Sequence, residues 1–263
     1  MPLSPAHIAG YGATRLIAVH GWLGDHRLFE PFFAHIDPAG CTCAFLDCRG
    51  YGSRRGEPGP YDIDAIAADI LNLADGLSWQ SFHVIGHSMG AMAAQQLMVD
   101  VPERICSAIL VCPVPASGAR IDDYRRSLLL RAIADPAARR ELIDANTGRR
   151  RDAAWLDATL ELSVQSTDPR ALEGYMAAWT GTGFAALMDG SAVPVLAVCG
   201  ELDPAAPAQV VRDTIITWCR NSSLAVIAGS GHYPMREDPA ALWRAVAGHL
   251  ASLGATRNTS SSC

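Results

Sequence analysis

Short apolar runs rich in β-branched residues alternate along this chain with stretches whose apolar residues recur at helical spacing. That alternation restricts the fold more than any other feature. The strand-like runs are RLIAVHG (15–21), CAFLDCRGYG (43–52), SFHVIGH (81–87), RICSAILVCPV (104–114), VPVLAVCGELD (193–203) and SLAVIAG (223–229). Helical patterns lie at 62–77, with Asp62 or Asp64 near the start, at 89–100, and at 238–253. Strands apolar on both sides and separated by helices predict an α/β fold, a mostly parallel, doubly wound sheet covered on both faces.

One interval departs from the alternation. From 118 to 190 there are only helical patterns, such as YRRSLLLRAIA and ALEGYMAAWTGTGFAALM. A helical cap inserted there sits over the C-terminal edge of the sheet, where ligands of such folds bind. The expected organisation is a core of 1–117 and 191–254, a helical cap of 118–190, and a flexible polar tail of 255–263.

Composition removes several classes of function. The 263 residues, 49% of them hydrophobic, suffice for one buried core. All 21 basic residues are arginine, so neither Schiff-base chemistry nor a lysine-bearing phosphate loop is available. A formal charge of −6 argues against nucleic acid as a partner. No apolar run reaches the roughly eighteen residues of a membrane span, and MPLSPAHIAG lacks the pattern of a secretory signal. Of eight cysteines, Cys43, Cys106, Cys112 and Cys199 lie inside apolar runs and read as small hydrophobes of a reducing, cytoplasmic compartment. Cys41 and Cys43 share a strand face, but no second ligand pair accompanies them, so no structural metal is expected.

The chemistry centres on GHSMG (86–90), where a strand pattern turns into a helix. G-x-S-x-G in that context is a nucleophile elbow: Gly86 and Gly90 clear a crowded turn, and the helix start offers free N–H groups beside Ser88. His83 and His249 fall inside a strand and a helix and read as structural, while His87 shapes the elbow.

On these residues the chain resembles the α/β-hydrolase superfamily over nearly its whole length. The resemblance implies the order Ser, acid, His, each on a loop after a strand. It places the acid at Asp203 in VLAVCGELDP, in preference to Glu201, and the base at His232 in IAGSGHYPMREDP. Some relatives carry the acid one strand earlier, where this chain has VCPVP (111–115). It assigns the oxyanion donors to the backbone N–H groups of Met89 and of Trp22, the latter in the His-Gly loop VHGWLGD (19–25). Few residues precede the first strand, so six or seven strands are expected rather than the family's eight.

The implied activity is that of a cofactor-free, metal-free serine hydrolase acting on a small, largely apolar ester, lactone or thioester. Trp22, Tyr175, Met176, Trp179 and Phe184, with Trp155, are the candidate pocket residues. Ser88 at the elbow argues against epoxide hydrolases and dehalogenases, which place Asp there. A carbon–carbon bond hydrolase, a perhydrolase, or a small-molecule receptor with slow residual hydrolysis remains open. Between 120 and 151, nine arginines face five acids, a net charge of +4. GRRRD (148–152) is the cluster best suited to favour an anionic substrate or an acidic carrier protein.

Overall fold

The computed structural model describes residues 3–181 and 183–259. Seven strands form one sheet: β1 (His7–Gly10), β2 (Thr14–Val19), β3 (Cys41–Leu46), β4 (Phe82–His87), β5 (Ile105–Val111), β6 (Val195–Gly200) and β7 (Ser222–Ile227). Their order is β1-β3-β2-β4-β5-β6-β7, and every neighbouring pair is parallel except β1 with β3. β1 has no counterpart among the apolar runs of the sequence. It is a four-residue edge strand with no fully buried position, so it leaves no hydrophobic signature.

The register brings the strand ends together. Val19 pairs with Leu46 on one side and Gly86 on the other, His87 pairs with Val111, and Gly200 pairs with Ile227. The loops after β2, β3, β4, β5, β6 and β7 therefore leave the same edge of the sheet. The central strands are dry, with Ile17, Val84, Ile109 and Val198 at 0% exposure, as expected when helices cover both faces.

The helices are α1 (Glu30–Phe33), α2 (Ile63–Gly76), α3 (Met89–Asp100), α4 (Asp123–Ala134), α5 (Pro136–Asn146), α6 (Ala153–Ser166), α7 (Pro169–Thr180), α8 (Ala208–Val211), α9 (Pro234–Glu237) and α10 (Pro239–Thr259). Asp62 caps α2 by accepting the Ala65 N–H. Helices α4 to α7 fill the interval between β5 and β6, and each begins at an aspartate: Asp122, Asp135, Asp152 and Asp168. Each cap satisfies an orphan N–H and contributes about 1 kcal/mol, and the prolines at 136 and 169 suit the first helical turn.

Arg139 ties these helices together from inside. Its buried guanidinium donates to Ala132 O and Ile133 O near the end of α4, to Ser163 O in α6, and to Thr167 Oγ1. A cation set against the carbonyl ends of two helices is stabilised by their dipoles without a carboxylate partner. Helix α7 lies against α2 and α3, seating the insertion on the core. No helix among the described residues is long and apolar enough to cross a membrane.

One expectation is corrected at the C-terminus. The tail at 255–263 was expected to be flexible, yet α10 runs to Thr259, since nothing between Gly254 and that point stops a helix. Residues 260–263 lie outside the described residues.

The packing of α3 beneath β2 yields a test. A Cβ on Gly90 stands 2.8 Å from the carbonyl oxygens of both Val19 and His20, and backbone cannot swing aside. Gly90→Ala is expected to destabilise the fold by about 2 kcal/mol or more, the cost of overpacking a rigid contact. An unchanged urea midpoint in equilibrium unfolding would refute this account of the glycine.

Candidate active site

Ser88 stands between β4 and α3 with φ 53° and ψ −111°, a left-handed conformation that costs a side-chain-bearing residue strain. Three contacts hold it there: its N–H donates to Val111 O, while its carbonyl accepts from Ala91 N–H and Val114 N–H. The turn closes because both flanking glycines are bare; a Cβ on Gly86 would strike Gly90 O and Ala91. Gln95 in α3 pins the chain after β5, donating to Val114 O and accepting the Ala116 N–H.

The three residues expected from the sequence meet at this edge. The Ser88 hydroxyl faces His232 Nε2 at 3.0 Å, and His232 Nδ1–H donates to Asp203 Oδ2 at 2.8 Å. The second Asp203 oxygen accepts the Ala205 N–H at 2.8 Å. Burial works to raise the Asp203 pKa, but the His232 charge and hydrogen bond, with the Ala205 N–H and the Cys112 thiol, outweigh it and hold the group below the usual carboxylate value. Glu201, the alternative acid, is exposed and accepts the Gly229 N–H instead.

His20 shapes the loop expected to supply an oxyanion donor. Its Nδ1–H donates to Gly21 O at 2.8 Å and its Nε2 accepts the Cys48 N–H at 3.0 Å, joining the loops after β2 and β3. Burial lowers its pKa, consistent with the neutral ring those bonds require. Trp22, next in the loop, sends its indole N–H to Leu172 O of α7 at 2.8 Å. Met89 is the first residue of α3, and the N–H of such a residue has no intrahelical acceptor.

His87 is not aligned with the Ser88 hydroxyl. Its Nε2–H donates to the His232 carbonyl at 2.8 Å, and burial, then the nearby His232 charge, push its pKa down to about 3. It therefore supports the histidine loop as a neutral ring. His83 meets Ser107 Oγ within the sheet.

The candidate pocket residues divide. Trp22 and Trp179 meet edge to face with centroids 5.9 Å apart, and Met176 is buried in the same helix as Trp179. Tyr175 is instead core: it is fully buried, with its ring against Tyr51 and Tyr61 at 5.6 Å each. Phe184 is half-buried after α7, just before the short 3-10 helix Ala185–Leu187, its N–H bonded to Ala116 O. Trp155 packs near Tyr233, with the guanidiniums of Arg151 and Arg236 each 5.9 Å from its ring centroid.

In the arginine cluster at 149–151, Arg149 pairs with Asp144 and Arg151 with Glu237; Arg149 and Arg150 are exposed and Arg151 is partly buried. Elsewhere in the insertion Arg131 pairs with Glu141 and Arg140 with Asp157. Four of the nine arginines between 120 and 151 are thus ion-paired, while Arg120, Arg126 and Arg150 are exposed with no ion pair among the described residues.

Two groups among the described residues bring three ligand-type atoms within 4.8 Å: Cys112, Asp203 and His232, and Asp25, His26 and Asp47. Their atoms are already engaged with one another or with neighbours. The Cys112 thiol points to Gly231 O at 3.7 Å, His26 Nδ1 binds Asp47 at 2.9 Å, and Arg27 binds Asp25. A metal in either would displace those bonds.

No sequence motif singles out Glu237 or Asn146, yet both touch the His232 loop. Glu237 accepts the N–H groups of Gly231 and Tyr233, and Asn146 O accepts the His232 N–H. The signal for Glu237 was only its spacing after the histidine; for Asn146, whose contact is through the backbone, there was none.

A family model described as the alpha/beta hydrolase fold matches residues 14–239. The dihydrolipoyllysine-residue acetyltransferase component of the acetoin cleaving system of Cupriavidus necator is 33% identical over 107 residues, 40% of this chain and 28% of that protein. Two further curated relatives are matched over only 26% and 58% of their length. The pimeloyl-acyl-carrier-protein methyl ester esterase of Salmonella heidelberg is 24% identical over 264 residues, covering 90% of this chain and 94% of that one. Among solved structures, the enol-lactonase of Burkholderia xenovorans LB400 matches with a TM-score of 0.81 at 20% identity, over 93% of this chain and 95% of that one. At that identity the likeness concerns the fold.

The geometry separates the two carboxylates after β6. Asp203→Asn removes the acceptor that fixes the His232 tautomer and is expected to lower turnover of an activated ester by about 10⁴-fold. Glu201→Gln, which loses only a surface bond to Gly229, should stay near wild type. The reverse ranking in steady-state assays would assign the acid to Glu201.

Proposed function

Since this chain belongs to the alpha/beta hydrolase fold family, matched from residue 14 to 239, we propose that it is a serine hydrolase cleaving a small acyl ester, lactone or thioester through an acyl-enzyme on Ser88. One observation carries this reading: the continuous chain from the Ser88 hydroxyl through both nitrogens of His232 to buried Asp203. Such a chain lets an otherwise poor nucleophile lose its proton as it attacks.

The sequence of events follows from the geometry. Ser88 Oγ attacks the substrate carbonyl carbon while His232 Nε2 takes the hydroxyl proton. Asp203, ionised and held by Ala205 and His232, stabilises the imidazolium and keeps Nδ1 protonated. The N–H groups of Met89 and Trp22 receive the oxyanion, assisted by the positive end of α3. His232 then returns its proton to the leaving alkoxide or thiolate, and in a second cycle activates water to release the acid. No step calls for a metal or an organic cofactor.

The substrate class rests on surroundings. The Trp22–Trp179 pair offers an apolar wall beside the oxyanion loop, which suits an acyl group of modest size. The Salmonella relative, aligned over 90% of this chain, is by name a methyl ester esterase of a carrier-bound acyl group, which supports ester or thioester chemistry. The paired arginines of the insertion give no separate support for an acidic carrier.

Two tests follow. A fluorophosphonate probe should label the wild type on Ser88, and Ser88→Ala should lose both labelling and hydrolysis of p-nitrophenyl acetate; full hydrolysis by the alanine variant would overturn the assignment. In addition, any rise of kcat/KM with pH should follow a limb carrying no more than one proton, to which neither His87 nor Asp203 contributes. His87, at about 3, is already neutral, and Asp203, held below its usual value, is already ionised, so neither titrates between about pH 5 and 9. A limb with a slope of about two would show that a second group must also lose its proton.

A further inference from the structure

We propose that Glu237 and Arg151 are positioning residues that lock the His232 loop to the inserted helices, so that the base is aligned only while the insertion is seated. This rests on the serine-hydrolase reading above. The Glu237 carboxylate has no exposed surface, and its partners lie on both sides of His232. Oε2 accepts the Gly231 N–H at 2.9 Å and Oε1 accepts the Tyr233 N–H at 2.8 Å. The residue before His232 and the residue after it are thus held by one side chain.

A buried carboxylate with only backbone donors would be costly to keep ionised. Arg151 supplies the countercharge, donating through Nε at 3.1 Å and Nη2 at 2.9 Å to Glu237 Oε2. Arg151 lies in the turn between α5 and α6, eighty-six positions away in sequence. Its guanidinium also sits over the Trp155 ring, 5.9 Å from the centroid, a second contact that helps to fix it.

The same turn makes a second, independent tie. Asn146, the last residue of α5, accepts the His232 N–H on its carbonyl at 2.8 Å. Its side-chain oxygen is held by Arg125 of α4. A Cβ on Gly231 would strike Asn146 O and Thr147, so the histidine loop is in close contact with this turn. The oxyanion loop is tied to the insertion as well, through the Trp22 indole and Leu172 O. Both loops that must act on one substrate carbonyl are therefore referenced to the inserted helices rather than to the sheet alone.

Glutamine at 237 presents one oxygen and one amide N–H₂ where two oxygens are needed. Either the Gly231 and Arg151 donors or the Tyr233 donor would then face another donor. Methionine at 151 leaves Glu237 buried without its countercharge. Each change displaces His232 without touching substrate, and displacement of a reacting group by about 1 Å costs up to roughly 100-fold.

The experiment compares wild type, Glu237→Gln, Arg151→Met, the double variant and Arg149→Gln, an exposed arginine of the same turn whose partner is Asp144 rather than Glu237. Three quantities are measured: the rate of Ser88 phosphonylation by a fluorophosphonate, kcat and KM for p-nitrophenyl acetate, and the downfield NMR resonance of His232 Nδ1–H. The expected result is a labelling rate and kcat lowered roughly 10- to 100-fold in both single variants, with KM within about twofold. The double variant should be no worse than the worse single, because the two residues act as one unit. The Nδ1–H resonance should broaden or vanish in these variants and persist in Arg149→Gln. Should Glu237→Gln fail to fold, Arg151→Met carries the same test from a partly exposed position. Wild-type labelling rates and an unchanged resonance in folded Glu237→Gln or Arg151→Met would overturn the proposal, as would a fall in Tm alone. A wild type that takes no label sinks the hydrolase reading instead, and the resonance, which needs no substrate, still decides the clamp.

Discussion

The site depends on the packing of the first turn of α3 directly against the end of β2. The peptide at Gly90 lies against the carbonyls of Val19 and His20 with no room for a methyl group. Because α3 is drawn in this far, the chain leaving β4 must reverse within a single residue, and Ser88 takes up the left-handed conformation that results. The strain is held by the bonds from Ser88 to Val111, Ala91 and Val114. The same contact brings the positive start of α3 beside the loop after β2, so Ser88, the Met89 N–H and the loop that carries Trp22 are positioned by one packing contact.

How much of this was legible follows from range. The elbow is a local feature, five residues with two glycines at a strand-to-helix change, and it can be read without knowing the fold. The order of Ser88, Asp203 and His232 was legible from the family resemblance, since each follows a strand with a clear apolar pattern. β1 was not, because an edge strand that buries no position has no pattern to read. Tyr175 was misplaced since helical spacing says which face a residue occupies, not whether that face meets a pocket or the rings of Tyr51 and Tyr61. The arginines at 149–151 suggested a basic face because the acid that neutralises Arg151 lies far along the chain, in a segment, MREDP, that looks like ordinary surface charge.

The buried charges obey one rule. Asp203, Glu237 and Asp47 are each shielded from water, and each is surrounded by donors: a histidine and a backbone N–H, two backbone N–H groups and an arginine, or a histidine with a serine. Arg139 inverts the pattern, a buried cation against helix-terminal carbonyls. Since an unpaired buried charge costs several kcal/mol, these groups specify geometry more than they add stability. Two of the four lie within reach of His232, which is where an error in geometry costs most.

This has a consequence for how a substrate arrives. Ser88 is 8% exposed and His232 7% exposed with the inserted helices in place. An acyl group too bulky for that residual opening needs the insertion to shift, and the turn at 146–151 belongs to that insertion while also contacting the His232 loop. If the turn moves with the helices, the bonds from Asn146 and Arg151 lengthen and the His232–Ser88 alignment loosens during loading. If the turn stays with the loop, movement is confined to α4, α6 and α7, and Trp22 is released from Leu172 while His232 is not. The bond count favours the second: three hydrogen bonds cross from the turn, one from the His232 N–H to Asn146 O and two from Arg151 to Glu237, whereas Trp22 makes one to α7. Opening beside Trp22 would also have to strain the ties of the α6–α7 junction to the core, from the Asp168 N–H to Gly50 O and from Arg55 to Thr167 O, so α7 pivots about its start rather than lifting whole in any such movement.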